Sequence, residues 1–334
     1  MAEINVASQL GFGELAKRLD PKGDFLPIFE AMDQVLPEIS RIPAVPCNKP
    51  LYQHIVNRRT SLPTGSWIKF GEGVASQAST TQVVTFNCAL LKALSEVNAD
   101  LIDSIGGSAK REQARRQEDM AFVQGLTEQV WSSLITGTTT SYPERFDGFQ
   151  QYLTTLSQTM VIDGGNSGGT SIYVIDFDTD ACFFIYPDGV ERGQYGLVID
   201  TNADGGNGKV WTTEKDDSTK GLLVYRTLFQ WYLGLVVRDE LRIGRIANIN
   251  ATLGGPNTFD ENDLIELLNL GKFRRGTTIL CTKEIRTQMQ VRLKDKNNVN
   301  FDVGQGLSGV PVLTFMGAPI FRCDAISTSE GPIT

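Results

Sequence analysis

The sequence predicts an α+β protein in which one long helix precedes a strand-rich half. Three observations carry that expectation. Ser108–Gly137 reads as a single helix with no proline inside it. Beyond Gly169 the chain breaks into short β-prone runs separated by turn residues. Finally, 33 Gly and 13 Pro in 334 residues supply more turns than a helical bundle uses. The length accommodates two subdomains or one elongated unit.

Taken in order, the chain opens with a polar arm carrying one amphipathic helix, Phe25–Val35, whose Leu26, Phe29, Met32 and Val35 share a face. Pro43, Pro46 and Pro50 then impose an extended segment that cannot enter a central sheet. Next comes a long hairpin. Tyr52–Arg58 and Ser66–Phe70 flank Leu62-Pro63-Thr64-Gly65, and Thr80–Phe86 is its β-branched return strand. Its tip places Trp67, Ile68 and Phe70 among Arg58, Arg59 and Lys69. Such a hairpin packs either on its own body or on another subunit, and the thin local core favours the second.

Ala89–Ile105 reads as a helix, with Leu90, Leu91, Leu94, Val97, Leu101 and Ile105 on roughly one side. Ser108 is a capping residue for the long helix and Gly137 a left-handed stop. The first half of that helix is charged, pairing Glu112 with Arg116 and Arg115 with Asp119 at four-residue spacing. Its second half carries Met120, Val123, Leu126, Val130 and Leu134, flanked by Phe122, Trp131 and Ile135, and must lie on something apolar. A short helix, Phe149–Ser157, precedes a glycine break at Gly164–Gly169. Ser171–Phe177 and Ala181–Tyr186 then look like a hairpin turned by Asp178-Thr179-Asp180. Strands at Leu222–Leu228 and Leu235–Ile249, a helix capped by Thr258 or Asp260 and ended by Gly271, a strand at Thr277–Cys281 and a helix at Lys283–Leu293 follow. Val310–Phe315 and Ala318–Ala325 close the pattern as strands around Met316-Gly317.

Composition excludes several function classes. A formal net charge of -8 opposes strong general attraction to nucleic acid. The five cysteines, Cys47, Cys88, Cys182, Cys281 and Cys323, are odd in number and widely spaced, which suits buried thiols in a reducing cytoplasm better than a disulfide framework or a zinc site. A lone histidine, His54, leaves no multi-histidine metal site. Met1–Leu10 lacks the basic flank and apolar run of a secretory signal, and Leu222–Val237 is too short to span a membrane.

Three motif matches point to chemistry and fall short of it. Gly165-Asn166-Ser167-Gly168-Gly169 is one residue away from the surroundings of a trypsin-like nucleophile, but catalysis by Ser167 would need a base and an orienting carboxylate, and His54 lies in an unrelated segment. Asp200-Thr201-Asn202-Ala203-Asp204-Gly205 copies the first half of a calcium loop, yet Trp211 occupies the place of the bidentate acid and Glu214 is out of register. Lys272, Arg274 and Arg275 lack the interleaved aromatics of a single-strand binding surface. No phosphate loop, dinucleotide fingerprint or acid–base pair is present, so no enzyme, cofactor or metal is expected.

The order of these parts resembles the major capsid proteins of tailed double-stranded DNA phages with the Hong Kong 97-type fold, particularly those of short-tailed phages of the epsilon15 kind. Three stretches carry the resemblance: Ser61-Leu62-Pro63 with Trp67 and Gly71-Glu72-Gly73-Val74; Trp231 to Asp239 with Arg242 and Arg245 to Ile249; and Phe315 to Ile320 with Asp324-Ala325-Ile326 and Glu330. The resemblance implies an N-terminal arm over 1–49, an extended loop over 50–88, a peripheral domain over 89–165 and 300–334 with a spine helix at 108–136, and an axial domain over 166–299. It also implies self-assembly into hexamers and pentamers of an icosahedral shell, the virion capsid, built in the host bacterial cytoplasm. Portal, scaffolding and decoration proteins would be partners, packaged DNA would be held without specificity, and no membrane would be involved.

On this reading the inter-subunit residues are Arg58, Arg59, Trp67, Lys69, Arg111, Arg115, Arg116, Trp231, Arg238, Asp239, Arg242 and Arg245. Gly71, Gly106 and Gly164 are candidate hinges for quasi-equivalent shapes. Some members of the wider fold join subunits through a loop lysine and an asparagine; here those would be Lys69 and Asn297 or Asn298. The rival expectations are the shell of a bacterial nanocompartment with the same fold, told apart by whether the lumen holds an enzyme or DNA, and a serine hydrolase using Ser167, told apart by a fluorophosphonate label.

Overall fold

A computed structural model describes residues 36–50, 52–105, 107–189, 197–200, 209–213, 220–274, 276–294, 300–305 and 311–334. The expected Phe25–Val35 helix lies outside them, as do Gly106, Arg275, Asn297, Asn298 and residues 201–205 of the calcium-like turn.

In chain order, a 3₁₀ turn at Ile39–Arg41 leads into the short strand β1 (Ala44–Pro46). Strands β2 (Gln53–Ser61) and β3 (Thr80–Asn87) form the long hairpin, and β4 (Ala89–Asn98) and the one-turn helix α1 (Ala99–Asp103) follow. The long helix α2 runs Ser108–Thr136, and a single turn, α3 (Phe149–Tyr152), precedes β5 (Val161–Asp163), β6 (Thr170–Asp176) and β7 (Cys182–Tyr186). Beyond them lie β8 (Leu197–Asp200), β9 (Lys209–Thr213), the seventeen-residue β10 (Gly221–Val237), a 3₁₀ turn at Glu240–Arg242 and β11 (Ile243–Ile249). The last elements are α4 (Glu261–Leu270), β12 (Thr277–Cys281), α5 (Lys283–Arg292), β13 (Phe301–Gln305), β14 (Pro311–Phe315) and β15 (Ala318–Arg322).

These elements gather into two compact units, one on Leu90–Trp131 and Glu191–Tyr232, the other on Val35–Ala89, Ser132–Val190 and Leu233–Thr334. In the first, β10 pairs antiparallel with β8 and β9, and β4 runs on its other side. The expected helix over Ala89–Ile105 is therefore mostly a strand. Its leucine spacing satisfies both periods, and pairing with β10 decides between them: Ser95 and Val97 turn inward while Leu90 and Leu94 face out. Only from Ala99 does the chain coil, where the Asn98 side chain accepts a bond from the Asp100 N–H at 2.9 Å and caps α1.

Val97, Ile102, Ile105 and Ala114 form the small core of this unit, with Leu101 and Tyr225 against it, and Phe122 stacks on Phe229 with ring centroids 5.6 Å apart. Along α2, Leu126, Val130, Trp131, Leu134 and Ile135 are buried, whereas Met120, expected on that face, is exposed. Ser108 is the first residue of α2 rather than the residue outside it. Gly137 does end α2, but not in a left-handed conformation. A Cβ there would stand 2.3 Å from the Ser133 carbonyl oxygen and 2.6 Å from that of Phe146, so close backbone packing excludes any side chain.

The second unit holds a seven-stranded sheet in the order β13-β14-β15-β12-β6-β11-β5. Every residue of β6, β11 and β12 is buried, so these strands are covered on both faces and enclose polar groups such as Ser171, Asp176 and Arg245 along with their apolar ones. That burial also overturns the hairpin expected across Asp178-Thr179-Asp180. Strand β6 lies between β11 and β12, whereas β7 belongs to another sheet, parallel to β1 and antiparallel to Gly234–Val237 of β10. Two strands that need neighbours on both edges cannot satisfy that need with each other alone, and the turn hands the chain from one sheet to the next.

The remaining sequence expectations differ in detail. The helix after the Phe149 turn is one turn long, ending at Tyr152. Asp260, not Thr258, caps α4, accepting the Asn262 N–H at 3.0 Å. Met316 and Gly317 both adopt positive φ, 49° and 86°, which is the twist a tight β14–β15 turn requires.

Candidate functional site

The hairpin has a fixed root and an uncovered tip. At the root, Val56 and Phe86 pack with Cys47, Phe183, Ile185 and Val236. Arg58 reaches from β2 to the Glu240 carboxylate at 2.7 Å and donates a second bond to the Val237 carbonyl. Gly234 lets β10 approach so closely that a Cβ there would lie 2.5 Å from the Asn87 carbonyl oxygen. Pairing of β2 with β3 runs from Gln53↔Asn87 to Ser61↔Thr80, with a register shift after Arg59. Burial fades along the same line, since His54 and Val56 are inside while residues 59–61 are exposed.

Between Ser61 and Thr80 there is no strand, so the Ser66–Phe70 run lies outside any ladder. Among the described residues its apolar side chains are uncovered: Trp67 and Phe70 are 105% and 111% exposed, and Leu62, Ile68 and Val74 are exposed beside them. Arg59 and Lys69 are exposed as well. Gly71, at φ 95° with open space around it, bends this segment, while Gly164 is a site of close approach to the Ala247 and Asn248 carbonyls.

The structure disperses the remaining sequence-derived interface residues. Arg242 and Arg245 are interior, 6% and 3% exposed. Arg242 pairs with Asp176 at 3.2 Å, where burial pushes the aspartate carboxyl upward and the arginine pulls it back. Arg245 donates to Ser171 Oγ at 3.0 Å, to the Leu153 carbonyl at 2.9 Å and to Glu330 at 2.8 Å. Trp231 is 5% exposed within the first unit. These three hold the subunit together from inside, and a residue sequestered in its own chain leaves the candidate surface.

Arg238 stays near the surface, pairing with Asp180 at 3.1 Å. Asp239 accepts the Leu241 N–H at 3.0 Å and faces Lys272 at 3.6 Å. On α2, Arg116 makes the expected pair with Glu112 at 2.6 Å, and both are exposed. Arg115 lies over the Tyr225 ring, 4.7 Å from its centroid, with its charge also acting on Asp119, and Arg111 donates to the Ile105 and Asp103 carbonyls at 2.9 Å and 2.8 Å. Only Arg116 of the three offers a free outer face.

The Gly165–Gly169 loop serves the C-terminal tail. Gly165, Gly168 and Gly169 have positive φ, and a Cβ on Gly168 would sit 2.7 Å from the Glu330 carbonyl oxygen. Gly169 exchanges both backbone bonds with Glu330, at 3.0 Å and 2.7 Å, and Asn248 accepts the Ile333 N–H at 3.0 Å. Sequence reasoning missed this dock, although Arg245 and Glu330 both stood in the stretches that carried the resemblance. Ser167 lies in that loop, and His54 lies in β2 with its ring edge on Phe183, centroids 5.6 Å apart. Among the described residues no helix is long and apolar enough to cross a membrane.

Comparison with known proteins agrees with this architecture. The family model described as Major capsid protein GP7 matches residues 20–334. The bacteriophage epsilon15 structure superposes with a TM-score of 0.72 at 23% identity, covering 100% of both chains. The bacteriophage JBD30 capsid gives 0.52 at 10% identity, covering 89% of this chain and 93% of that one. No curated protein sequence matches.

Proposed function

Because the chain belongs to the Major capsid protein GP7 family, we propose that it assembles with copies of itself into the hexamers and pentamers of a closed icosahedral shell around packaged double-stranded DNA. The observation that carries this reading is the hairpin. Its root is fixed by packing and by Arg58, and its tip displays Trp67 and Phe70 exposed, uncovered by any described residue. Solvent-exposed aromatic groups of this size are stabilised by burial in a partner, and a fixed root spares much of the ordering entropy that docking would otherwise cost. Each such contact is modest. A shell repeats it many times, and multivalency makes the whole stable.

On this reading Arg59, Lys69, Arg116, Arg238 and Asp239 are the polar rim of subunit contacts. The shell forms in the host bacterial cytoplasm with portal, scaffolding and decoration proteins as partners, and the acidic chain holds DNA loosely. Electron microscopy of the full chain expressed alone tests the proposal. Closed shells or capsomer rings are the expected result, and a preparation containing only dispersed monomers at high concentration contradicts it.

A further inference from the structure

Of the five cysteines, Cys182, Cys281 and Cys323 are buried, and burial pushes the last two up to about 12. Cys47 and Cys88 differ. Their sulfur atoms lie 3.3 Å apart, closer than two sulfurs need to be for contact, although the residues are 41 positions apart in the chain. Both backbones are held: the Cys47 N–H donates to the Tyr186 carbonyl at 2.8 Å and the Cys88 N–H to the Tyr52 carbonyl at 2.7 Å. Gly234 packs against the Cys88 backbone, with the Cα 3.2 Å from where a Cβ would stand. Neither thiol can drift far from the other while the fold is intact. Cys47 is buried at the end of β1 and Cys88 is half-buried between β3 and β4, so a small solute reaches the pair from the Cys88 side.

We propose that Cys47 and Cys88 are an oxidative modification site, converted by a peroxide to an intrachain disulfide that fastens the root of the β2–β3 hairpin to the β1 segment. The inference is independent of the assembly reading. Its chemistry has two steps. The thiolate of one cysteine attacks an oxygen of hydrogen peroxide; an S–O bond forms, the O–O bond breaks, and the departing hydroxide takes a proton to become water. The other sulfur of the pair then attacks that sulfenic acid; an S–S bond forms, the S–O bond breaks, and the hydroxyl leaves as water with the second thiol's proton. Two thiols are oxidised and one peroxide is reduced to two waters. Sulfurs at 3.3 Å must close by little more than 1 Å to reach a bond of about 2.0 Å.

The bond would close a loop containing the whole hairpin, including the exposed Lys69. The test uses the full chain treated with hydrogen peroxide, quenched, and alkylated under denaturing conditions. Alkylatable thiols should fall from five to three, with Cys47 and Cys88 recovered as one linked peptide. Protein nicked by trypsin at the hairpin tip should keep its two fragments together on a non-reducing gel and release them with reductant. In Cys47→Ser and in Cys88→Ser, each lacking one thiol of the pair, no linked peptide should form and dimedone should trap a sulfenic acid on the cysteine that remains. Five alkylatable thiols after treatment overturn the proposal, as do links between different cysteines or different chains. One cysteine of the pair oxidised to sulfinic acid with the other still free overturns it too.

Discussion

Arg245 and Glu330, 85 residues apart, form a buried ion pair at 2.8 Å that fastens the C-terminal tail to strand β11. Ser171 completes it by bonding to both. Removing one partner of such a pair strands a charge away from water, at a cost of about 3–5 kcal/mol. Glu330→Ala should therefore lower the denaturation free energy by about that amount in a urea titration. A loss below about 1 kcal/mol, the range of an exposed pair, would show that the tail is not docked in solution.

A second expectation concerns Gly234. A methyl group there meets the Asn87 carbonyl oxygen at 2.5 Å and the Cys88 Cα at 3.2 Å, both backbone atoms that cannot rotate aside. Gly234→Ala should destabilise by about 1–3 kcal/mol through overpacking. Gly65→Ala, with open space around it, should stay within about 0.5 kcal/mol of the parent. Equal effects from the two substitutions would refute the close approach of β10 to the hairpin root.

His54 gives the molecule a pH dependence of known sign. Burial and the Arg238 charge hold its imidazole below the ordinary 6.5, against a smaller opposing pull from the Pro46 backbone. The unfolded chain therefore takes up the proton first as pH falls. Stability is fully present above 6.5 and is lost as pH drops from there through the folded-state value. As the sole histidine, it is the only side chain of its type titrating in this window. Thermal melts between about pH 7 and about pH 5.5 should show the decline, and His54→Gln should flatten it. An unchanged slope in that variant would place the origin elsewhere.

The sequence made the long helix, the hairpin and several strands of the second half legible because each rests on a local signal: an unbroken stretch between glycines, or β-prone residues bounded by turn residues. What it did not reveal depends on partners far away in the chain. Ala89–Asn98 carries leucines at helical spacing, and only the neighbouring β10 makes it a strand. Arg242 and Arg245 look like surface charges until Asp176 and Glu330 are seen to neutralise them inside. Of the site, the exposed Trp67 and the bend at Gly71 were readable, since no apolar complement accompanies them in sequence. The contact between Cys47 and Cys88 was not, because nothing local links the two.

Trp67→Ala and Phe70→Ala separate folding from assembly. Both side chains are fully exposed, so the subunit should keep its denaturation midpoint, with stability changed by less than about 0.5 kcal/mol. Particle yield by sedimentation should fall in each variant and further in the double variant. Normal yields would remove the hairpin tip from the contact.

The central claim is that the Leu62–Val74 stretch is open in the free subunit and covered in the assembled shell. Hydrogen exchange measured on both states by mass spectrometry addresses it without altering the protein. In the free subunit these amides lie outside any strand and should exchange fast. Assembled particles should show the same peptides slowed by about tenfold or more, since burial under a neighbour removes them from water. Equal exchange in both states would contradict the account.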